Sequence, residues 1–206
     1  QIRPEEIERR SFEIITDLLG EQQPPDETAH IVKRVIHTTA DLEYAETLYF
    51  SENAAQILSQ ALAEGAHIVT DTQMALSGIN KKTLAAFGGQ VHCFMADEDV
   101  ARQARERGVT RACVSMEKAA TLSVPLIFAI GNAPTALLRL DELVREGTVR
   151  PRLIIGVPVG FVNVVQSKER IMNAGVPCIV AKGRKGGSNV AAAIVNAGLY
   201  RLTRAE

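Results

Sequence analysis

Tryptophan is absent from the 206 residues and aromatic side chains make up only 4% of them, so the stacking platforms that hold single-stranded bases are largely missing. Charge of one sign is not in excess either, since 23 Lys and Arg face 24 Asp and Glu for a formal net charge of -1. Binding nucleic acid through bulk charge needs a basic surplus, and no such partner is expected. Cysteine is scarce and odd in number, at Cys93, Cys113 and Cys178, with no CxxC pair. That argues against a disulfide framework and against a zinc or redox motif, and the three read as reduced core thiols. No apolar run approaches the roughly 18 residues of a membrane span, and the charged stretch QIRPEEIERR is no secretion signal. A cytoplasmic protein with no membrane partner is the expectation.

What the chain does have is alternation. Five short, continuous apolar runs rich in Val and Ile suit strands buried on both faces: HIVTD at 67–71, VHCFM at 91–95, PLIFAI at 125–130, LIIGV at 153–157 and CIVAK at 178–182. Amphipathic helical stretches lie among them at 52–64, 98–107, 111–120, 134–146, 165–173 and 188–203. Alternation of this kind implies right-handed crossovers and a parallel sheet. Two helical segments come first, 4–19 and about 27–39, separated by the breaker GEQQPP at 20–25, and the stretch 41–50 is ambiguous. With no repeat, low-complexity tract or change of composition, residues 1–206 read as one domain. Its core at 51–206 is a three-layer, doubly wound, five-stranded parallel α/β sheet, and residues 1–50 form a helical extension.

Ligands of such sheets bind beyond the carboxyl ends of the strands. Here those ends are Asp71-Thr72, Gly131-Asn132-Ala133-Pro134, Gly156 to Gly160, and Lys182 to Ser188. Glycine lets backbone approach a ligand, and Pro134 or Ser188 opens a helix whose free amides can receive an anion, although tight turns alone explain any one loop as well. The strongest local signal is GRKGGSNVAAA at 183–193, where two basic residues sit among glycines ahead of an Ala-rich helix that Ser188 is placed to cap. It suits a carboxylate or phosphate but is not a P-loop, because Lys185 precedes the final glycines. No GxGxxG follows the first strand, so a dinucleotide is not indicated.

His30, Arg34 and His37 fall at i, i+4 and i+7, one stripe of the second helix. The spacing is wrong for a chelate, and HExxH is missing. Arg34 would disfavour a proton on His37 until an anionic ligand arrives, which suits a general acid, although a lone His is more often structural. Ser77, Ser115 and Ser123 lie in no GxSxG elbow. Asp97, Glu98 and Asp99 read as helix capping and dipole complementation, and Arg102, Arg105 and Arg107 as a solvated face.

Taken together, RSFEII at 10–15, KRVIHTTAD at 33–41, TDTQMALSGINK at 70–81, GNAPTALLRL at 131–140, GVPVGF at 156–161, SKE at 167–169 and GRKGGSNVAAAIVNA at 183–197 resemble the precorrin-8X methylmutases of cobalamin biosynthesis. The wording of HTTAD, TDTQMALSGINK and GRKGGSNVAAA is more similar to the cobalt-precorrin-8 branch. The resemblance implies an intramolecular shift of a methyl group from C11 to C12 of the tetrapyrrole, a homodimer, a flavodoxin-like strand order of 2-1-3-4-5, and neither cofactor nor protein-bound metal. It places the catalytic histidine at His37 and substrate contacts at Ser11, Arg34 and Arg111. Thr72, Gly186 and Ser188, on the glycine-rich edge, are further candidates. A ring fringed with carboxylates needs dispersed cations and N–H donors, which these positions offer. On this reading His37 protonates the ring, Ser11 orients it or the imidazole, and Arg34 holds a carboxylate. The stretch Asn163 to Gln166 departs from the family's small residues and acid, so contacts at 162–167 do not carry over. A non-catalytic tetrapyrrole carrier would not require the Arg34 and His37 pair, and a nucleotide-binding domain would need a phosphate loop where DTQMALSG stands.

Overall fold

The computed structural model describes residues 3–203. In chain order the elements are α1 (Pro4–Leu19), α2 (Asp26–Thr39), α3 (Tyr44–Thr47), β1 (Leu48–Phe50), α4 (Ala54–Ala63), β2 (His67–Thr70), α5 (Gln73–Gly78), α6 (Lys81–Ala86), β3 (Val91–His92), α7 (Glu98–Arg107), α8 (Arg111–Ala119), β4 (Leu126–Ile130), α9 (Pro134–Arg145), β5 (Leu153–Gly156), α10 (Val164–Met172), β6 (Cys178–Ala181) and α11 (Ser188–Thr203). The strands form one sheet in the order β1-β6-β5-β4-β2-β3. Strands β2 to β6 are mutually parallel and, counted among themselves, stand as 2-1-3-4-5.

The expected count of five strands is corrected to six. β1 comes out of the ambiguous 41–50 stretch and pairs antiparallel with β6, Leu48 opposite Ala181 and Phe50 opposite Ile179. Three residues are too few to show a period, and it is the free edge of β6 that makes this segment a strand. α5 and α6, six residues each, were also not expected, for the same reason. Their starts are local: the Thr72 hydroxyl accepts the Ala75 amide and the Asn80 side chain accepts the Thr83 amide.

Strands buried on both faces explain the unbroken apolar runs. Ile68, Ile127, Ala129, Leu153, Ile155, Ile179 and Ala181 pack on the side covered by α2, α4 and α11. Val69, Leu126, Phe128, Ile130, Ile154, Cys178 and Val180 face α8, α9 and α10. Ile15, Leu19, Ile31 and Val35 belong to the first of these cores, so the helical extension and the sheet share one apolar interior. Each fully buried aliphatic contributes about 1.5–3 kcal/mol. Small residues bring α11 close to its neighbours: a Cβ on Gly198 would lie 2.8 Å from Leu62 and one on Gly78 2.9 Å from Ala192. No helix among the described residues is long and apolar enough to cross a membrane.

Of the acidic cluster at the start of α7, Glu98 and Asp99 stand in the first turn, where they complement the helix dipole as expected, but the expected capping is absent. The Asp97 side chain caps nothing, and the Lys118 ammonium donates to Asp97 at 2.7 Å and Asp99 at 2.8 Å, tying the start of α7 to α8.

Candidate functional site

The carboxyl ends of β2, β4, β5 and β6 bring four loops together on one edge. Asp71, one residue beyond β2 and 1% exposed, accepts amide hydrogens from Gly131 at 2.9 Å, Asn132 at 2.9 Å and Ala133 at 2.6 Å. Burial pushes its carboxyl up from the usual carboxylate range, and the three amides pull it back. The loop amides just ahead of Pro134 are therefore taken up by the protein's own carboxylate. Thr72 and Ser188 meet, hydroxyl to hydroxyl at 2.7 Å, across 116 residues of sequence. Ser188 is itself the first residue of α11, and its hydroxyl is paired to the loop after β2.

Glycines allow these loops to touch. A Cβ on Gly186 would lie 2.1 Å from the Val157 carbonyl oxygen, and one on Gly131 2.6 Å from the Ser188 Cα. The bare backbone at Gly186 is in contact with the GVPVG turn. Lys185 donates to Asp41 at 2.7 Å and to Glu43, so its charge is met by two carboxylates in the turn that follows α2. The Lys182 amide donates to the Thr47 carbonyl at 2.9 Å. These links draw the C-terminal end of α2, and with it His37, to the same edge as the glycine-rich loop.

His37 is exposed and stacks on Phe12 of α1, ring centroids 5.4 Å apart and planes 13° apart. Arg34, whose side chain is 13% exposed, lies over Phe12 at 4.8 Å and Tyr200 at 5.0 Å and donates to Glu8. Its charge is balanced locally, and its plane joins α1, α2 and α11. The Ser11 hydroxyl donates to the Ile7 carbonyl at 2.9 Å, one turn back on its own helix. Among the described residues no hydrogen bond joins His37 to Ser11 or Arg34. His30, on the same stripe, points elsewhere. It lines a cavity of about 500 Å³ with Ser51, Asn53 and Arg201, at the end where Ser51 bonds the first residue of β6. Its buried Nε2 has no hydrogen-bond partner among the described residues, and burial, then Arg201, lowers its pKa.

Arg111 is exposed at the first turn of α8. The adjoining Thr110 hydroxyl donates to Thr135 at 2.8 Å, which sets Arg111 beside the start of α9 on the carboxyl edge. Val159, Phe161 and Val162 of the loop after β5 and Met74 of α5 are large apolar residues left exposed on this edge. Among the described residues no group of three or more His, Cys, Asp or Glu is placed to hold a metal ion.

The family described as precorrin-8X methylmutase matches residues 6–201. The chain belongs to the precorrin-8X methylmutase family. It is 47% identical to the cobalt-precorrin-8 methylmutase of Salmonella typhimurium over 98% of each chain, and 44% identical to that of Priestia megaterium over 95% of this chain and 87% of the other. The precorrin-8X methylmutase of Pseudomonas aeruginosa is 38% identical over 93% of this chain and 92% of its own. A solved precorrin-8X methyl mutase from Thermus thermophilus superposes with a TM-score of 0.87 at 39% identity, covering 95% of this chain and 94% of that one.

In this member of the family, the structure joins Thr72 to Ser188 and sets Gly186, Arg111 and His37 on one edge. Ser11 and Arg34 sit on the α1 and α2 pair behind His37. Sequence reasoning missed Phe12, the ring under His37, and gave Asp71 no role beyond ending a strand. Phe12 falls within RSFEII, where one of the few aromatics sits beside Ser11, and that scarcity was the available signal.

Proposed function

We propose that the protein is an isomerase that moves a methyl group from C11 to C12 of a precorrin-8 ring in cobalamin biosynthesis, yielding hydrogenobyrinate or cobyrinate. The observation that carries the reading is the nearly end-to-end likeness to methylmutases that act on this ring. Relatives named for the cobalt form run to 47% identity and the precorrin-8X methylmutases from Pseudomonas aeruginosa and Sinorhizobium to 38% and 34%, which favours cobalt-precorrin-8 as the substrate. The cobalt belongs to that substrate and calls for no ligand from the protein.

His37 acts as the proton donor. Substrate and product are isomers, so the proton lent to the ring must return to the imidazole within each turnover. Stacking on Phe12 fixes the imidazole plane while leaving its edge open to a ligand. Ser11 retains acceptor capacity after donating to Ile7 and can orient the imidazole or the ring. Arg34 holds Phe12 in place, and a substrate carboxylate reaching it must share it with Glu8. Arg111, Thr72, Gly186 and Ser188 line the edge that meets the ring and its carboxylates. Exposed Ile7, Ile14 and Leu18 on α1 support a homodimer that covers this apolar stripe.

The test is to mix the purified protein with cobalt-precorrin-8 and with precorrin-8X and follow the absorbance spectrum. Conversion of the cobalt form is expected; conversion of neither overturns the reading. His37→Ala should abolish turnover and leave tetrapyrrole binding intact, and normal turnover by that variant would refute the proton-donor role.

A further inference from the structure

Lys168 of α10 is among the largest fully buried side chains, 1% exposed. Among the described residues no carboxylate pairs with it. Its Nζ donates instead to two backbone carbonyls of the loop after β6, Gly183 at 2.8 Å and Lys185 at 2.9 Å. A buried ammonium costs several kcal/mol unless its donors are satisfied, so a position needed only for packing is better filled by Met or Leu. Burial pulls its pKa down to about 8. The neutral amine still has two N–H groups for two carbonyls, so the contact survives loss of the proton.

The loop it holds is tied on its other sides too. The Gly160 amide donates to the Arg184 carbonyl at 3.1 Å and the Gly187 amide to the Val157 carbonyl at 2.9 Å. The Lys185 side chain is committed to Asp41 and Glu43. Arg184 is different: it is exposed, and no hydrogen bond or ion pair holds its guanidinium among the described residues. The residues whose carbonyls Lys168 holds are the two that flank Arg184.

We propose that Lys168 is a positioning residue that fixes the backbone on both sides of Arg184, so that this arginine is presented to a peripheral carboxylate of the tetrapyrrole. The proposal rests on the functional reading above for its ligand, and on geometry alone for the clamp.

Lys168→Met keeps the volume and removes the donors, and Lys168→Gln keeps a shorter donor. Native protein is treated with trypsin well below its melting temperature, and cleavage after Arg184 and Lys185 is timed. Cobyrinic acid is titrated by absorbance, and kcat and KM are measured on cobalt-precorrin-8. In Lys168→Met the loop should be cut about tenfold faster, Kd and KM should each rise about tenfold, as loss of one well-placed charged hydrogen bond implies, and kcat should stay near wild type. Lys168→Gln should fall between. A variant that melts lower but keeps wild-type cleavage, Kd and KM overturns the proposal and leaves a packing role. Should both variants fail to fold, the wild type decides: a loop that resists trypsin supports the clamp, and native protein cut first after Arg184 or Lys185 refutes it. If the wild type converts neither substrate, the functional reading falls, while the cleavage rates still judge the clamp.

Discussion

Replacing Asp71 with Asn tests whether one buried carboxylate organises the start of α9. Its Oδ2 accepts two amides, from Asn132 and Ala133, and its Oδ1 accepts the third, from Gly131. Asparagine will direct its oxygen at the pair and its NH2 at Gly131. Hydrogen bonds to a charged acceptor contribute about 1.5–3 kcal/mol and neutral ones about 0.5–1.5, so the two retained bonds lose about 2 kcal/mol together. The Gly131 amide, left facing another donor, costs about 1–3 kcal/mol more. Removing a buried charge returns part of this, for a net loss of about 2–4 kcal/mol. In a chain of this size each kcal/mol shifts Tm by about 2–4 °C, so a fall of about 4–16 °C is expected by circular dichroism. A Tm within about 2 °C of wild type would refute the view that this carboxylate holds the loop.

Gly186→Ala puts a Cβ 2.1 Å from the Val157 carbonyl oxygen, so the loops after β5 and β6 must separate. A lower Tm and a raised KM are expected, and an unchanged KM would show that the contact does not shape the site. His92 shares a 2.9 Å contact with the His67 ring, and burial followed by His67 lowers its pKa from 6.5. The unfolded chain therefore takes up a proton first as the pH falls, and stability is lost downward from about pH 6.5. His30 acts with the same sign. His92→Gln should flatten the fall of Tm between pH 7 and pH 5, and an undiminished slope would exclude His92 as a source.

Strand runs such as LIFAI and CIVA were legible because burial on both faces leaves no room for polar residues. β1 was not, because its three residues become a strand only through a partner about 130 positions away. The edge holding the glycine-rich loops could be read from the sequence, since the ends of parallel strands are countable from their order. Its internal contacts could not. Nothing in DTQMALSG announces that Asp71 will bind the amides of Gly131, Asn132 and Ala133, and nothing in GRKGGS says that Lys185 answers to Asp41 and Glu43 while Lys168 supports the loop from beneath. Such pairings depend on the three-dimensional crossing of loops, and composition is blind to that. Arg34 shows the same limit, for its spacing from His37 suggested a cation acting on that imidazole, whereas Phe12, Tyr200 and Glu8 surround it.

The antiparallel strand β1 also bears on how the molecule is made. α2 rests on α11, with Arg34 over Tyr200, and β1 waits for β6. As the ribosome releases the chain, the helix bearing His37 emerges long before α11, on which it rests. Such long-range closure slows folding and leaves apolar faces such as Ile31 and Val35 uncovered in the meantime. A nascent chain stopped short of α11 lacks the surface on which α2 and its Arg34 pack, so the site is completed only when the two distant parts of the sequence meet.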